Sequence, residues 1–300
     1  MLAGAEEALS RRREVAMGAA EALLQGAIDY AGLFPPAGLN LEATVRNYAE
    51  YRAGHDAWAL GRLVLPATKL AEFADRWPQH VTEWPISLLL GSDYDMEMRL
   101  AIDVGLRLEV VECRPRRLED IAEIRCRMPS NGLLFVESPQ GCTAQETITA
   151  AADVEACAKV RTGGVVAEAI PAPSALAAFL VACAQRDVRL KATAGLHHAI
   201  RGEQPLTYEP QSSRACMHGF VNFFVAAMAA CEGLNEAEIE EILNDSQSRN
   251  FYVDVDGLRW RGLSFSSTAI REMREEFAIS FGSCSFEEPM GEMRAMGWIE

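Results

Sequence analysis

The sequence predicts an α/β protein whose strands close into a (β/α)8 TIM barrel, with a helical insertion before the last strand. Short apolar segments alternate with amphipathic helical segments along almost the whole chain. The apolar segments contain few polar residues, which is typical of parallel strands covered on both faces. A length of 300 residues suits one large barrel or two modest domains. A doubly wound open sheet is the alternative, because periodicity does not show whether a sheet closes.

Eight β-α repeats are predicted in order. Prolines end the first two strands, at Phe34-Pro35-Pro36 and at Pro66, since proline cannot donate a ladder hydrogen bond. The predicted strands are residues 27–33, 60–65, 86–90, 106–111, 133–136, 156–160, 189–193 and 278–285. The predicted helices are residues 41–52, 68–76, 96–103, 117–127, 144–152, 174–185 and 290–296.

Two further segments belong to the same single domain, residues 1–300. Residues 1–25 form a predicted amphipathic helix that covers the bottom of the barrel or makes an oligomer contact. Residues 200–278 form a mostly helical insertion with the apolar helix Phe220–Cys231 and a small hairpin near Asp256-Gly257. The insertion leaves the seventh strand at the mouth end, so we expect a lid over the carboxyl ends of the strands.

The composition excludes two classes of partner. A net charge of −15 opposes binding to nucleic acid or to an anionic membrane. Eight cysteines without a CxxC pair predict reduced thiols and a cytoplasmic location. The first residues do not resemble a signal peptide, and no run approaches the roughly 18 apolar residues of a membrane span. We expect a small-molecule substrate, and a homo-oligomer is left open.

Lysine is rare in this chain, and two of its three copies follow one pattern. The chain has 28 basic residues, and only Lys69, Lys159 and Lys191 are lysines. Lys159 and Lys191 each lie near the end of a predicted strand that opens into small residues and glycine. Lysine can lose its proton when desolvated and become a nucleophile, whereas arginine cannot. The alternative is that both lysines cap strand ends and reach into solvent.

Other polar residues share these strand ends, where TIM barrels carry their chemistry. Charged groups are costly inside a barrel mouth unless they are paired or used, so their number predicts an active site. In chain order these residues are Asp29, Arg62, Glu109 or Glu112, Glu137, Lys159, Arg161, Lys191, Thr193, Gly282 and Ser283. The last three strands end in longer motifs, which are Lys159-Val160-Arg161-Thr162-Gly163, Lys191-Ala192-Thr193-Ala194-Gly195-Leu196-His197 and Phe281-Gly282-Ser283-Cys284-Ser285.

In their order and spacing, these three motifs resemble those of the class I, Schiff-base aldolases of the deoxyribose-phosphate aldolase type. Weaker echoes are Ile28-Asp29, Leu63-Val64-Leu65-Pro66, Glu109-Val110-Val111 and Val136-Glu137-Ser138. The resemblance covers the barrel apart from residues 1–20 and 200–278. The Lys-x-Arg-Thr-Gly-Gly and Thr-Ala-Gly-Leu-His-His blocks are also similar to those of an uncharacterised bacterial family.

The resemblance implies roles for individual residues and calls for no cofactor and no metal. Lys159 would form the imine, and Lys191 would be the neighbouring cation that favours its unprotonated form. Glu109 or Asp29 would carry the proton, with Glu137 as a further carboxylate of the catalytic set. Gly195, Gly282 and Ser283 would hold a phosphate or carboxylate. The residues themselves, apart from the resemblance, predict further substrate- or anion-binding side chains at the barrel mouth, which are Arg161, Thr162, Gly163, Thr193, His197, His198, His218 and Asn222.

The chain departs from the family pattern at four positions. Arg161 replaces a small hydroxyl residue, and Ala194 replaces a glycine. His197 stands where the family has an arginine, and Cys284 where it has a serine. These changes leave open whether aldol chemistry is retained and on which substrate.

Two other functions compete with the aldolase hypothesis. His197, His198 and His218 with Glu137 could serve a metal-dependent lyase, hydrolase or isomerase. Neighbouring residues of an extended chain point in opposite directions, however, which disfavours a shared ion for His197 and His198. A non-catalytic barrel that binds a small anion through Arg161 and Gly282-Ser283 is the other alternative.

Overall fold

The structure is a computed structural model that describes residues 18–300. Eight parallel strands form one closed barrel, which confirms the predicted (β/α)8 architecture. Each strand pairs with its neighbours in chain order, and the last strand closes the barrel against the first. Most of the predicted N-terminal helix, residues 1–17, lies outside the described residues. The rest of it is the short helix Ala19–Leu24.

All eight predicted strands are present, and only the fourth begins clearly later than predicted. The barrel strands are β1 (Ile28–Tyr30), β2 (Leu60–Pro66), β3 (Ile86–Leu89), β4 (Val110–Cys113), β5 (Leu133–Glu137), β6 (Cys157–Arg161), β7 (Leu190–Thr193) and β13 (Ala278–Ser283). Two small antiparallel sheets lie outside the barrel, one of β8 (Gly202–Pro205) and β9 (Arg214–Met217), the other of β10 (Phe251–Val253), β11 (Gly257–Trp260) and β12 (Leu263–Ser266).

Helices surround the barrel and bury the outward side chains of the strands. The helices are α1 (Ala19–Leu24), α2 (Leu41–Ala53), α3 (Ala67–Arg76), α4 (Pro78–Glu83), α5 (Tyr94–Asp103), α6 (Glu119–Arg125), α7 (Ala144–Ala152), α8 (Pro173–Gln185), α9 (Phe220–Cys231), α10 (Glu236–Asn244), α11 (Ser267–Glu276) and α12 (Glu287–Ala295). Side chains on alternate positions of each strand face these helices or the barrel interior.

The insertion covers the mouth over a shorter stretch than the sequence suggests. Only the β8–β9 hairpin contributes to the cavity at the carboxyl ends of the strands. Helix α9 packs on the outside of the barrel, where Phe220 stacks on Phe281, and α10 covers its other side. A helix this apolar is stable only when it is buried on nearly all faces.

The second small sheet lies at the opposite end of the barrel from the cavity. The backbone N–H of Ala19 donates to the carbonyl of Asp254, which joins α1 to the β10–β12 sheet. Helix α1 leads directly into the start of β1. The expectation that all of residues 200–278 form a lid is therefore wrong for α9 and for this sheet.

One stretch of residues 18–300, Ala167–Gln185, is long and apolar enough to span a membrane by length and composition alone. Its helical part, α8, packs against α9 and α10 as part of the outer layer of the barrel. The core helix of a folded barrel has the same composition, so the stretch is weak support for a membrane span. The cytoplasmic location stays a prediction.

Candidate active site at the carboxyl ends of the strands

Three ionisable side chains lie buried inside the barrel, where Lys191 contacts both Asp29 and Glu112. Lys191 Nζ lies 2.6 Å from Oδ2 of Asp29 and 2.6 Å from Oε1 of Glu112. The hydroxyls of Ser280 and Ser87 donate to these carboxylates, at 2.8 and 2.7 Å respectively. Buried charges are costly unless they are paired and hydrogen-bonded. Removing one member of the cluster would therefore leave its partners unbalanced.

Burial and ion pairing have opposite effects on these groups. Burial by itself raises the pKa of Glu112, but the ammonium groups of Lys159 and Lys191 hold that pKa well below its ordinary value. Burial by itself lowers the pKa of Lys191, but the carboxylates of Asp29 and Glu112 raise it above its ordinary value. At neutral pH Glu112 is therefore an anion and Lys191 a cation.

Lys159 contacts the same carboxylate from the cavity side. Its Nζ lies 2.8 Å from Oε2 of Glu112 and 3.9 Å from Oε2 of Glu137. Lys159 is part of the wall of a cavity of about 350 Å³, which Lys191 does not reach. The exposed fraction of the side chain is 6% for Lys159 and 1% for Lys191. The two lysines meet at Glu112, as expected for neighbouring strands, but only Lys159 is open to a ligand.

Lys191 does not face Lys159 as an unbalanced cation. Glu112 binds both ammonium groups, and Asp29 provides a second negative charge for Lys191. The role implied for Lys191 by the resemblance requires a positive charge that acts on Lys159 without such compensation. Its contacts instead indicate that Lys191 fixes the position of Glu112.

Of the two glutamates predicted for the end of the fourth strand, Glu112 lies there, and the choice of Glu109 for the catalytic role is wrong. Strand β4 begins at Val110, so Glu109 precedes it. The side chain of Glu109 is 48% exposed and pairs with Arg107 at 3.4 Å. A carboxylate inside the apolar run Val110-Val111-Glu112-Cys113 is the signal that identifies Glu112, because an unpaired charge would be costly there.

Asp29 and Arg62 lie deeper in the barrel than the cavity. Besides its bond to Lys191, Asp29 accepts the backbone N–H of Arg62 at 2.8 Å. Arg62 lies in the first half of β2, and neither residue is part of the cavity wall. Asp29 can therefore orient Lys191 but does not reach a ligand in this cavity.

Glu137 lies beside the cavity and close to Lys159. It is the last residue of β5 and the register partner of Lys159. Its carboxylate is 3.9 Å from the Nζ of Lys159 and 3.9 Å from a terminal nitrogen of Arg114. The side chain is partly buried, so Glu137 is a second carboxylate within reach of chemistry at Lys159.

Thr162, Gly163 and Gly195 join the ends of β6 and β7. The hydroxyl of Thr162 donates to the carbonyl oxygens of Thr193 and Ala194. A Cβ on Gly163 would lie 2.9 Å from the Cα of Gly195, so neither glycine tolerates a side chain. Thr193 and Gly195 line the cavity, whereas Thr162 and Gly163 act through this packing.

Gly282 and Ser283 have different positions at the end of β13. Gly282 lines the cavity, and a Cβ there would lie 3.1 Å from Oγ1 of Thr193. Ser283 is buried behind the wall, and its hydroxyl donates to the carbonyl of Ser285 at 2.6 Å. The hydroxyl also lies 3.0 Å from Nδ1 of His197. Ser283 is therefore committed to the protein and is not placed to hold an anion.

His197 and His198 both line the cavity but have separate partners. Nδ1 of His197 lies 3.4 Å from Glu288, and Nδ1 of His198 contacts Glu292. Burial, with a smaller contribution from the charge of His198, lowers the pKa of His197 to about 4. His197 is thus neutral at physiological pH and acts as a hydrogen-bonding group.

His218 and Asn222 lie outside the cavity, contrary to expectation. His218 is buried, with Nε2 2.8 Å from the carbonyl oxygen of Pro171. The side chain of Asn222 accepts the N–H of Arg201 and donates to the carbonyl of Asp245. Both residues tie the start of α9 to neighbouring loops.

These placements separate the four residues of the metal hypothesis. His197, His198, His218 and Glu137 each have a different partner. Within residues 18–300, no three side chains of His, Cys, Asp or Glu converge in a way that could hold a metal ion. The geometry gives the metal-dependent alternative no common ligand point.

Tyr208, Cys284 and Glu288 line the cavity and contact one another or His197, and none of them was a predicted site residue. Tyr208 is in the loop of the β8–β9 hairpin, and its hydroxyl donates to Glu288 at 3.0 Å. Sγ of Cys284 lies 3.7 Å from this hydroxyl and 3.9 Å from Nε2 of His197. The sequence holds no local motif that would place the hairpin over the barrel.

The chain was compared with known proteins at three levels. It matches no protein-family model, no curated protein and no solved structure. The likeness to class I aldolases rests on the strand-end motifs alone.

Proposed function

We propose that the protein is a Schiff-base lyase that forms an imine between Lys159 and a small carbonyl compound, and cleaves or forms a carbon–carbon bond of the aldol type. One observation carries the proposal. A lysine amine lies on the wall of a cavity, 2.8 Å from a carboxylate that is held ionised. In TIM barrels the active site lies at the carboxyl ends of the strands, where this cavity is found.

The first step needs the free amine of Lys159, and an internal proton transfer is the route that conserves the charge of the cluster. The lowered pKa of Glu112 makes this transfer uphill, so the free amine is a minor species that reaction with the carbonyl compound consumes. Lys159 and Lys191 carry two positive charges, and Asp29 and Glu112 carry two negative charges. A proton passed from Nζ of Lys159 to Oε2 of Glu112 keeps this balance, whereas loss to solvent would leave a buried negative charge. The 2.8 Å contact is short enough for direct transfer.

The free amine then attacks the carbonyl carbon. The new C–N bond gives a carbinolamine after one proton moves from nitrogen to oxygen. Glu112 returns its proton to the hydroxyl, which leaves as water, and an iminium remains on Lys159. The iminium keeps the positive charge that the ammonium had, so Glu112 ends ionised beside it.

Glu137 is the carboxylate placed to act on the next bond. In the cleavage direction a base takes the proton of the β-hydroxyl and the carbon–carbon bond breaks. The electron pair of that bond forms the C=C bond of an enamine, and the C=N pair of the iminium returns to nitrogen. An aldehyde leaves. Glu137 returns the proton to the enamine carbon, and water hydrolyses the imine. Its position, 3.9 Å from Nζ of Lys159, supports this role.

Reductive trapping with borohydride tests the proposal. The protein is incubated with a panel of small aldehydes, ketones and oxo acids and reduced with borohydride. The mass of the intact chain is then measured by mass spectrometry. We expect one adduct per chain, lost in Lys159→Arg and retained in Lys69→Arg. Lys69 is the matched control because it is half-exposed and pairs with Glu72 on the outer helix α3.

Trapping that is unaffected by Lys159→Arg would contradict the proposal. So would the absence of an adduct with every carbonyl class, which would leave a barrel that only binds its ligand. Circular dichroism of each variant shows whether a lost adduct reflects a lost fold.

A further inference from the structure

The cavity wall carries an arginine that the proposed chemistry does not use, Arg161. Arg161 is the last residue of β6, is exposed, and lines the cavity. It stands two positions after Lys159, and residues two apart on a strand point to the same face. Its guanidinium and the reactive amine are therefore presented on the same side of one rigid element.

Arg161 differs from the other ionisable residues of the cavity wall. Lys159 pairs with Glu112, His198 with Glu292, and the carboxylate of Glu288 accepts the hydroxyl of Tyr208. Within residues 18–300, Arg161 makes no ion pair and no side-chain hydrogen bond. The other ionisable side chains named above have partners within the protein. The free guanidinium of Arg161 is therefore suited to bind an anionic group of the ligand.

The planar guanidinium suits a carboxylate better than a phosphate. It offers parallel N–H donors that match the two oxygens of a carboxylate. A phosphate monoester carries about −1.5 to −2 charges near neutral pH. Over the described part of the cavity wall, Lys159 and Arg161 are the only lysine or arginine side chains, and Lys159 is already paired. One free guanidinium balances one carboxylate.

The spacing along the strand limits how far the carboxylate lies from the carbonyl. Residues two apart on a strand are about 6.5 Å apart. The relevant distance runs from the imine nitrogen to a guanidinium that binds the adjacent carboxylate in bidentate fashion. It is roughly the same, given C–C bonds of about 1.5 Å and N···O contacts of about 2.8 Å. A carboxylate bonded directly to the carbonyl carbon therefore fits parallel Lys159 and Arg161 side chains.

We propose that the substrate is a 2-oxo acid, with its carbonyl carbon at Lys159 and its carboxylate on Arg161. The proposal rests on the imine chemistry proposed above. For a 4-hydroxy-2-oxo acid, the bond between C3 and C4 breaks and gives an aldehyde and a shorter 2-oxo acid. The hydroxyl proton ends on C3 by way of the base, so no oxidant or reductant is needed. The neighbouring reaction is one that makes or uses such an acid.

The test compares two carbonyl compounds that differ in charge. Wild type, Arg161→Met and Arg107→Met are reduced in the presence of pyruvate or of acetaldehyde, and the initial trapping rates are measured over a range of concentrations. Arg107 is the control arginine, exposed and paired with Glu109 outside the cavity. Arg161→Met should slow trapping of pyruvate by about 10- to 100-fold at low concentration, the range of one charge-assisted contact. Acetaldehyde should change by less than about 3-fold, and Arg107→Met should match wild type.

A second measurement uses a competing ligand that cannot itself form an imine. Lactate has the carboxylate of pyruvate but no carbonyl, so we expect it to slow trapping of acetaldehyde in wild type and not in Arg161→Met. Inorganic phosphate is tested in the same way. Stronger competition by phosphate than by lactate, lost in Arg161→Met, would overturn the 2-oxo acid in favour of a phosphorylated substrate.

The two proposals fail differently. If no carbonyl compound is trapped, the imine chemistry is wrong. If acetaldehyde is trapped at Lys159 but Arg161→Met slows both compounds equally, the imine chemistry stands and the 2-oxo acid is wrong.

Discussion

Strands β6 and β7 carry lysines in paired register, yet the two lysines have opposite environments. Lys159 and Lys191 are direct register partners, and both contact Glu112. Lys191 has Asp29 as a second carboxylate and is closed off from solvent. Lys159 has a more distant second carboxylate and a cavity beside it. In the proposed mechanism, access to the cavity and a single close carboxylate make Lys159 the reactive lysine, whereas Lys191 is structural because two carboxylates saturate it.

The largest expected effect is on chemistry at Lys159. Lys159→Arg keeps the charge beside Glu112 but cannot form an imine, so trapping and turnover should fall by at least about 1000-fold. Folding should survive, since the ion pair with Glu112 is retained. The rate of carbonyl turnover and the urea midpoint, measured on the same samples, check both statements.

The assignment of Lys159 as the nucleophile would be contradicted if Lys159→Arg keeps a substantial fraction of the wild-type rate. An arginine cannot replace a covalent nucleophile, so retained activity would mean that Lys159 only binds the substrate.

The second effect is on stability at Lys191. Lys191→Met leaves Asp29 and Glu112 facing each other without their shared cation, and breaking a buried ion pair costs about 3–5 kcal/mol. Lys159→Met should cost less, because Glu112 keeps Lys191 and the site is open to water. Urea unfolding of the two methionine variants measures the difference. Equal losses would show that the two environments do not differ as the contacts indicate.

The same variant separates two roles for Lys191. If Lys191 acted as an uncompensated cation on Lys159, the activity lost in Lys191→Met would return at high pH. We expect no such recovery, because Glu112 and Asp29 already balance the charge. A pH profile of trapping from pH 7 to 10 distinguishes the two outcomes.

The barrel, the two lysines and the cavity residues of the strand-end motifs were predictable from sequence, whereas the contributions of the insertion and the choice between Glu109 and Glu112 were not. Apolar strand segments and small residues at strand ends are local signals. Whether Glu109 or Glu112 lies inside the barrel depends only on where β4 starts. A predicted start a few residues too early pointed to Glu109, which pairs with Arg107 at the surface, instead of Glu112, which binds both lysines. His218 and Asn222 depend on how α9 packs against distant loops, which no local pattern records. Tyr208 enters the cavity only because the β8–β9 hairpin folds back.

A smaller effect is expected in the pH dependence of the free energy of unfolding, through Glu112, which lies between the two lysines. The pKa of Glu112 is lower in the folded protein than its ordinary value, so its contribution to stability is present above pH about 4.3 and is lost as the pH falls towards the folded pKa. Glu112→Gln removes this contribution at every pH. The advantage of wild type over Glu112→Gln should therefore shrink by about 1–2 kcal/mol between pH 5 and pH 3.

Urea unfolding of both proteins at pH 7, 5 and 3 measures this change. An advantage that stays constant across that range would mean that Glu112 is not held ionised by the two lysines. Lys191 does not obscure the comparison, because its pKa is raised and its contribution is lost only at alkaline pH.

The most direct test of the account is to find which lysine carries the adduct. Wild-type protein is reduced with borohydride in the presence of a carbonyl compound that traps, digested, and mapped by mass spectrometry. Three lysines in the chain make the assignment unambiguous. We expect the adduct on Lys159, with Lys191 unmodified and Lys69 at the background of an exposed amine. An adduct mainly on Lys191, or shared equally among the three, would contradict the claim that access and one proton acceptor select Lys159.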